Sequence, residues 1–149
     1  MARDLLEYSS TLAELAADLP GLIHPVMDRV AELVRSEATE NLSGRVLESR
    51  SGDLLSTLRV ETEQGAQGAR VAVSAGDSVT RYARIHEFGG TILPTGGEYL
   101  HFLGRRGWAR VRQVNIPARP YLRPALEEGA EALPDMLHDR FVELIQGGA

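Results

Sequence analysis

The feature that most constrains the fold is a single apolar stripe between residues 25 and 42. Apolar side chains recur there at every fourth position, and charged residues fill much of the remainder. The stripe consists of Val26, Val30, Val34, Ala38 and Leu42. A spacing of four places these side chains on one face of an α-helix. We therefore predict a long helix over about Pro25–Leu42 that ends near Gly44 and buries one face in a core.

A shorter helix is predicted ahead of the long one. Thr11 and Glu14 have the spacing of a capping box, in which two side chains and two backbone N–H groups bond reciprocally at a helix start. This pair predicts a helix through about Leu19, which Pro20-Gly21 then ends.

Apolar and polar residues alternate in the next region, as in strands with one buried face. A turn at residues 50–56 leads into two such runs, which are separated by a second turn at Gly65–Gly68. The inward positions are Leu58, Val60, Thr62, Val71, Val73 and Ala75. The pattern predicts an antiparallel hairpin.

A second hairpin is predicted further along the chain. Glu98–Leu103 and Trp108–Ile116 read as its strands, and Gly104–Gly107 as its turn. Residues Thr91–Gly97 are predicted to form a loop before it.

The C-terminal region is predicted to be helical. Its apolar face consists of Leu126, Leu133, Leu137, Phe141 and Leu144. Pro134 predicts a kink or a break before Asp135. These elements together predict an α+β fold, in which the antiparallel strands of two hairpins pack against a long N-terminal helix and C-terminal helices.

Composition limits the classes of function. A length of 149 residues with 43% hydrophobic and 25% charged residues predicts one globular domain over residues 1–149. The absence of cysteine excludes disulfides and thiolate metal sites and suits a reducing cytosol. The N-terminus lacks a signal-peptide pattern and the apolar runs are short, so neither secretion nor membrane insertion is expected. A net charge of -5 argues against broad, non-specific DNA binding.

The sequence carries no recognisable catalytic, cofactor-binding or metal-binding motif. His86-Glu87 begins like a zincin motif but lacks the second histidine four residues on. No serine lies in a Gly-x-Ser-x-Gly elbow, and the glycine pairs lack the order of a phosphate loop. We therefore expect no enzymatic activity, cofactor or metal. A hydrolase with an unrecognised site remains an alternative that would require titratable groups converging in a pocket.

The most suggestive binding patch is the arginine-rich hairpin at residues 104–112. Its candidate interface residues are Arg105, Arg106, Trp108, Arg110 and Arg112. Arginines beside an aromatic residue are suited to phosphates and bases, which predicts a small nucleic-acid-binding module as an alternative function. The other interpretation is that these arginines pair with acids on a neighbouring subunit.

Two further segments are punctuated by glycine and proline. In the first, a short helix is predicted over Val79–Phe88, capped by Asp77 or Ser78 and ended by Gly89-Gly90. The second, Ile116–Leu126, is predicted to be a strand end that leads into a helix. Pro120 or Pro124 would occupy the first helical position.

The residues of these two segments resemble a known family. Tyr-Ala-x-x-His-Glu-Phe-Gly at 82–89, followed by Ile-Pro-Ala-Arg-Pro-Tyr-Leu-Arg-Pro-Ala-Leu at 116–126, is similar to the tail-completion, or head–tail joining, proteins of long-tailed bacteriophages. Minor tail and Mu-type virion morphogenesis proteins share this resemblance. Ser51-Gly52-Asp53-Leu54 resembles the Ser/Thr-Gly-x-Leu step of that family. The resemblance is strongest over Ser51–Leu126.

The resemblance implies a structural virion subunit without catalysis. Such a subunit would form a homo-oligomeric ring, a hexamer, at the head-proximal end of the tail and join the tail to the neck. Its implied partners are further copies, the tail tube protein and the neck or head-completion proteins, with no membrane. The implied channel allows DNA to pass without sequence-specific binding. A neck adaptor or a tail terminator of the same virion are the alternative positions, and assembly is expected in the host cytoplasm.

The resemblance also implies structural roles for the motif residues. Glu87 and Arg119 are the candidate pair that would fasten the short helix to the strand–helix junction, because they are charged positions inside otherwise apolar motifs. The surfaces that bind partners are expected elsewhere, in the Thr91–Asn115 region and on the outer faces of the helices.

Overall fold

The structure, a computed structural model, describes most of the chain. The described residues are 9–10, 13–14, 16–47, 52–65, 68–76, 82–104 and 107–147. They form helices and paired strands, which confirms the predicted α+β class. By internal contacts the chain divides into two compact units. Unit 1 comprises Met1–Glu37, Arg59–Val73 and Ala125–Ala149, and unit 2 comprises Ala38–Leu58 and Ser74–Pro124. The single domain over residues 1–149 stays a prediction.

The described ranges contain the following elements. The helices are α1 (Leu19–Leu42), α2 (Asp53–Ser56), α3 (Ala83–Phe88) and α4 (Arg123–Gly147). The strands are β1 (Arg59–Gly65), β2 (Gly68–Ser74), β3 (Gly90–Ile92), β4 (Leu100–Gly104), β5 (Gly107–Val111) and β6 (Val114–Ile116). Among these described helices, none combines the length and apolarity needed to cross a bilayer.

Helix α1 confirms the predicted apolar stripe, whose members are all buried: Val26, Val30, Val34, Ala38 and Leu42. Within unit 1, Gly129 of α4 lies against this stripe. A Cβ added to Gly129 would lie 2.6 Å from Val34 Cγ2, so the missing side chain allows α1 and α4 to approach closely.

The predicted helix end at Pro20-Gly21 is wrong. Asp18 forms a turn, but its N–H donates to the Glu14 carbonyl (3.1 Å) and its own carbonyl accepts from the Leu22 N–H (3.2 Å). The turn at Asp18 separates the preceding helical residues from α1, which begins at Leu19 and contains both Pro20 and Gly21. Proline is tolerated at position 20 because N–H groups in the first turn of a helix have no intrahelical acceptor to lose.

The helix boundaries next to prolines also differ from the predictions. Helix α1 begins at Leu19 and passes through Pro25, which was the predicted start. Helix α4 continues through Pro134, which excludes a break there, whereas the predicted alternative, a kink, stays a prediction. Pro124 is the second residue of α4, and Pro120 lies before the helix. Thr11 of the predicted capping box lies outside the described residues.

The first predicted hairpin is confirmed as β1 and β2, which pair in a two-stranded sheet. Only two residues connect these strands. A connection this short requires antiparallel pairing, because parallel strands need a much longer crossover. Leu58 and Val60 are buried, whereas the charged residues at 59, 61 and 63 are exposed, as the alternation predicts. Within unit 1, Arg35 Nη2 of α1 donates to the Val60 carbonyl (3.0 Å).

Unit 2 contains two further antiparallel pairs. Strands β4 and β5 confirm the second hairpin, although β5 ends at Val111 and the chain resumes as β6. Strand β6 pairs with β3, with Gly90 opposite Ile116. Strand β3 lies partly where a loop was predicted, and the Thr91 hydroxyl adds a 2.8 Å hydrogen bond to Asn115 Oδ1.

A small core holds unit 2 together. Its buried members are Leu42, Leu47, Leu54, Ala83 and Tyr121. Leu54 belongs to α2, a single helical turn within the predicted 50–56 turn. Gly52 precedes α2 with φ +74°, a left-handed conformation that favours glycine, and Ser51 lies outside the described residues. The core thus joins the end of α1, α2, α3 and the segment before α4.

Candidate functional site

Helix α3 carries most of the first motif. It begins at Ala83, and the predicted start at Val79 and the caps Asp77 and Ser78 lie outside the described residues. Its buried residues are Ala83 and Glu87, one turn apart, while Phe88 is largely exposed. The helix therefore turns a carboxylate, rather than its largest apolar side chain, toward the core of unit 2.

Gly89 ends α3, as predicted, and its conformation has a specific cause. It adopts φ +69° and ψ 178°, which L side chains rarely adopt. A Cβ at this position would lie 2.7 Å from the Ala118 backbone nitrogen and 3.1 Å from the Ile116 carbonyl oxygen. Two reasons therefore favour glycine at position 89: the conformation of the turn and the close approach of the second motif.

The Glu87 carboxylate joins the two motifs. Its Oε2 accepts hydrogen bonds from the backbone N–H groups of Tyr121 (2.8 Å) and Leu122 (3.0 Å). Its Oε1 accepts a third from the N–H of Arg123 (3.0 Å). Glu87 is only 8% exposed, so these donors replace the water that a carboxylate normally requires.

This arrangement is a helix cap supplied from a distant part of the chain. Helix α4 starts at Arg123, and its first N–H groups have no intrahelical acceptor. Leu122, the preceding residue, has no side-chain oxygen with which to cap them. Glu87 provides both the acceptor and a negative charge, which the positive end of the helix dipole favours. The carboxylate therefore fixes where α4 begins.

Tyr121 fills the centre of the same junction. It is 1% exposed, and its hydroxyl donates to the Ala83 carbonyl of α3 (3.4 Å). The Tyr121 carbonyl accepts a hydrogen bond from the buried Asn41 Nδ2 (3.1 Å). Burial, and next the charge of Glu87, raise the pKa of Tyr121 to about 12, so its hydroxyl stays protonated.

Arg119 meets α3 through its backbone: its N–H donates to the His86 carbonyl (2.7 Å). Burial, and then the nearby charge of Arg119, lower the pKa of His86 and favour its neutral form. The bonds formed by Glu87 fasten the two motifs through backbone N–H groups. A direct pair between the Glu87 and Arg119 side chains stays a prediction.

The β4–β5 hairpin is the contrasting region of unit 2. Leu103 lies opposite Trp108 and His101 opposite Arg110, so these four side chains share one face, which we call the outer face. Leu103 is 69% exposed and Trp108 79% exposed. Leu100 and Phe102 of the other face line a cavity of about 290 Å³, to which Ile92, Val114 and, from the outer face, His101 also contribute.

The arginines of the predicted interface have different positions. The Arg110 guanidinium carbon lies 3.8 Å from the centre of the Tyr99 ring, and that of Arg112 lies 5.7 Å from it. Stacking on the Tyr99 ring holds the Arg110 side chain against the hairpin. Arg105 and Arg106 lie outside the described residues.

Unit 1 has an open apolar groove of about 610 Å³. It lies between the start of α1 with the residues before it and the middle of α4. The lining residues are Ala16, Leu19, Leu22, Ile23, Pro134, Leu137, His138 and Phe141. Phe141 belongs to the predicted apolar face of α4 and is 40% exposed, so that face is not fully covered within the chain.

The described residues offer little for metal or acid–base chemistry. Over the ranges that the structure describes, no group of three or more His, Asp or Glu side chains is placed to hold a metal ion. The buried carboxylate, Glu87, is occupied by three backbone N–H groups. The best-formed features are a capped junction and two exposed apolar surfaces, which suit folding and association.

Sequence reasoning missed several residues of these regions. Asn41 and Tyr121 lie 80 positions apart, and no periodicity links them. Leu103 was read only as part of a strand, although its position opposite Trp108 makes it part of the exposed surface. One sequence feature could have predicted the capping role of Glu87. No residue just before Arg123 has a good capping side chain, which indicates that another part of the chain supplies the cap.

Comparison with protein families finds one match. A model described as the phage virion morphogenesis family matches residues 31–141. The match includes both motifs, all the described strands, the second half of α1 and most of α4. Comparison with curated proteins and with solved structures returns no match.

Proposed function

Because the chain belongs to the phage virion morphogenesis family and so has a structural role in a bacteriophage virion, we propose that it assembles as a homo-oligomeric ring at the head-proximal end of the tail. The ring is a hexamer that joins the tail to the neck. Its partners are the tail tube protein and the neck or head-completion proteins. The chain acts without catalysis, and it assembles in the host cytoplasm.

The observation that carries this proposal is the outer face of the β4–β5 hairpin. Leu103 and Trp108 form an apolar pair on the solvent side, where a hairpin of a monomeric protein normally carries polar residues. Exposed apolar patches of this kind are typical of protein–protein interfaces, and tryptophan is common among the residues that dominate their energetics. The pair also lies in the Thr91–Asn115 region, where binding surfaces are expected.

A nucleic-acid-binding module is less well supported. The net charge of -5 opposes approach to a polyanion. Among its described residues, the outer face combines Arg110 with two large apolar side chains, which suits a protein surface better than a phosphate backbone.

The proposal is tested by sedimentation velocity and negative-stain imaging of the purified chain, alone and with tail tubes of the same particle. We expect closed rings, or rings that form on one end of the tube. A chain that stays monomeric at high concentration and does not bind tubes would contradict the proposal. Labelled chain at the tail tip, or only on the head side of the neck, would instead contradict the assigned position.

A further inference from the structure

We infer that the outer face of the β4–β5 hairpin of one copy inserts Trp108 and Leu103 into the α1–α4 groove of the next copy. This inference rests on the proposed function and specifies the contact that closes the ring. The occupant of the groove is therefore a second copy of this chain.

The first argument is the match of size and polarity. Apolar and aromatic side chains dominate the lining of the groove, and its volume of about 610 Å³ is in the range of pockets that bind compact apolar groups. The hairpin presents two large apolar side chains next to each other on adjacent strands. Each surface is open in the single chain, since Trp108 is 79% exposed and Phe141 is 40% exposed.

The second argument is charge. Glu131, Asp135 and Asp139 are exposed and recur at spacing four, so they form a row along α4. This acidic row runs beside the groove-lining row of Pro134, His138 and Phe141 on the same helix. The hairpin carries the opposite charge, because Arg110 shares the outer face with Trp108 and Arg112 follows β5. An apolar centre with complementary charges at its rim is typical of a specific interface.

The third argument is geometric. The hairpin belongs to unit 2 and the groove to unit 1, so a contact between them in different copies joins two unlike surfaces. Contacts between unlike surfaces are heterologous, and they generate rings when the rotation closes. Each copy would then use one hairpin and one groove, leaving neither exposed in the closed ring.

Single-site variants test the hairpin side and the groove side of the contact separately. Trp108→Ala removes the hairpin side and leaves the groove, whereas Phe141→Ser removes the groove side and leaves the hairpin. Leu19→Asp is a second groove variant, chosen because Leu19 lines the groove but is half exposed. The matched controls are Phe88→Ala, a largely exposed aromatic outside the hairpin, and Ile145→Ser, an exposed position of α4 outside the groove.

Sedimentation velocity of these variants gives the first readout. We expect the two controls to form rings like the unaltered chain, and each hairpin or groove variant to remain monomeric. Mixing Trp108→Ala with Phe141→Ser, or with Leu19→Asp, should give a one-to-one dimer and nothing larger, because only one intact hairpin and one intact groove can meet. Circular dichroism shows which variants are folded.

Trp108 also provides a direct readout, because it is the single tryptophan of the chain. If it inserts into the groove, its fluorescence emission shifts to shorter wavelength as the chain assembles and returns on dilution. Rings that form with a solvent-exposed Trp108 spectrum, or that persist in Trp108→Ala, would overturn the inference while leaving the ring proposal intact. A chain that never assembles would overturn both.

The hairpin variants also distinguish contact with a second copy from binding of nucleic acid. Duplex and single-stranded DNA are titrated against the unaltered chain, Arg110→Ala and Trp108→Ala over a range of salt concentrations. We expect no salt-dependent DNA binding that the variants abolish. Binding that falls steeply with salt and disappears in both variants, while the rings stay intact, would assign the hairpin to nucleic acid instead.

Discussion

The junction around Glu87 and the outer face of the β4–β5 hairpin are both unusual, but in opposite senses. The junction buries a carboxylate, and the hairpin exposes a tryptophan and a leucine. In the junction, hydrogen bonds from three backbone N–H groups offset the cost of burying the Glu87 carboxylate. The hairpin has no comparable compensation among the described residues. The first region therefore stabilises the fold, and the exposure of the second supports the proposal that it is an interface.

Removing the carboxylate should give the largest loss of stability. Glu87→Ala leaves one buried and two partly buried N–H groups without their acceptor and uncaps α4. We expect the free energy of unfolding to fall by about 3 kcal/mol, since an unsatisfied buried polar group costs roughly 1–3 kcal/mol. Urea unfolding measures the change.

The exposed Glu98 provides the control for this variant. Glu98→Ala should change the free energy of unfolding by less than about 0.5 kcal/mol, as is usual for surface positions. Equal effects at Glu87 and Glu98 would remove the distinction between the junction and the surface.

A methyl group at Gly89 should have the next largest effect. Gly89→Ala must adopt a backbone conformation that favours glycine and brings Cβ within 2.7 Å of the Ala118 nitrogen. We expect a loss of roughly 2 kcal/mol, because such strain costs about 1–3 kcal/mol. Thermal unfolding is compared with that of Gly97→Ala, where nothing lies within 4 Å of the added Cβ. A neutral Gly89→Ala would show that the two motifs do not need to approach so closely.

High pH should weaken the junction through Tyr121. The pKa of this group is raised from 10.0 to about 12 in the folded chain, so the unfolded chain releases the proton first. The stabilisation is fully present below pH 10 and is lost between about pH 10 and 12. Between pH 9 and pH 11 we expect the free energy of unfolding to decrease by about 1–2 kcal/mol, which is about half of what the full two-unit shift gives at about 1.4 kcal/mol per pKa unit.

Tyr121→Phe isolates this effect. The chain contains no lysine, so no lysine side chain adds a proton release at alkaline pH. Unfolding curves at pH 9 and pH 11 should differ less in Tyr121→Phe than in the unaltered chain. An identical pH dependence in both would assign the alkaline loss to another group.

Truncating the exposed tryptophan should have the smallest effect on folding. Trp108→Ala removes a side chain that is 79% exposed, so little apolar area leaves the interior. We expect the free energy of unfolding of the monomer to change by less than about 0.5 kcal/mol. The comparison is made at a concentration where the unaltered chain is also monomeric, because association stabilises the folded state. A loss as large as that of Glu87→Ala would place the hairpin in the fold rather than at an interface.

Much of the architecture could be predicted because its signals are local. The spacing of Val26, Val30 and Val34 gave α1, and alternation gave both hairpins. Proline positions were misleading: Pro20 lies in the first turn of α1, where its missing N–H has no cost, and α4 tolerates Pro134. Strand β3 could not be predicted, because it is three residues long and depends on pairing with β6.

The site was predictable only in outline. The two motifs were predicted to be a helix end and a strand–helix junction. Glu87 and Arg119 were predicted to be the pair that fastens them, and that pairing stays a prediction. The acceptance by Glu87 of hydrogen bonds from residues 121, 122 and 123 could not be read from the sequence, because it depends on the fold bringing together positions 34 to 36 residues apart. The arginines predicted that the hairpin is a binding surface. The register of β4 and β5 places Leu103 beside Trp108, and this apolar pair occupies much of the outer face.

The most direct test compares folding and assembly in the same preparations. Urea unfolding and sedimentation velocity are measured for the unaltered chain, Glu87→Gln and Trp108→Ala. The account predicts that Glu87→Gln unfolds at lower urea but still forms rings while folded. It predicts that Trp108→Ala keeps the unfolding midpoint of the monomer but forms no rings. Rings formed by Trp108→Ala, or a parallel loss of stability and assembly in both variants, would contradict the division between a folding junction and an assembling hairpin.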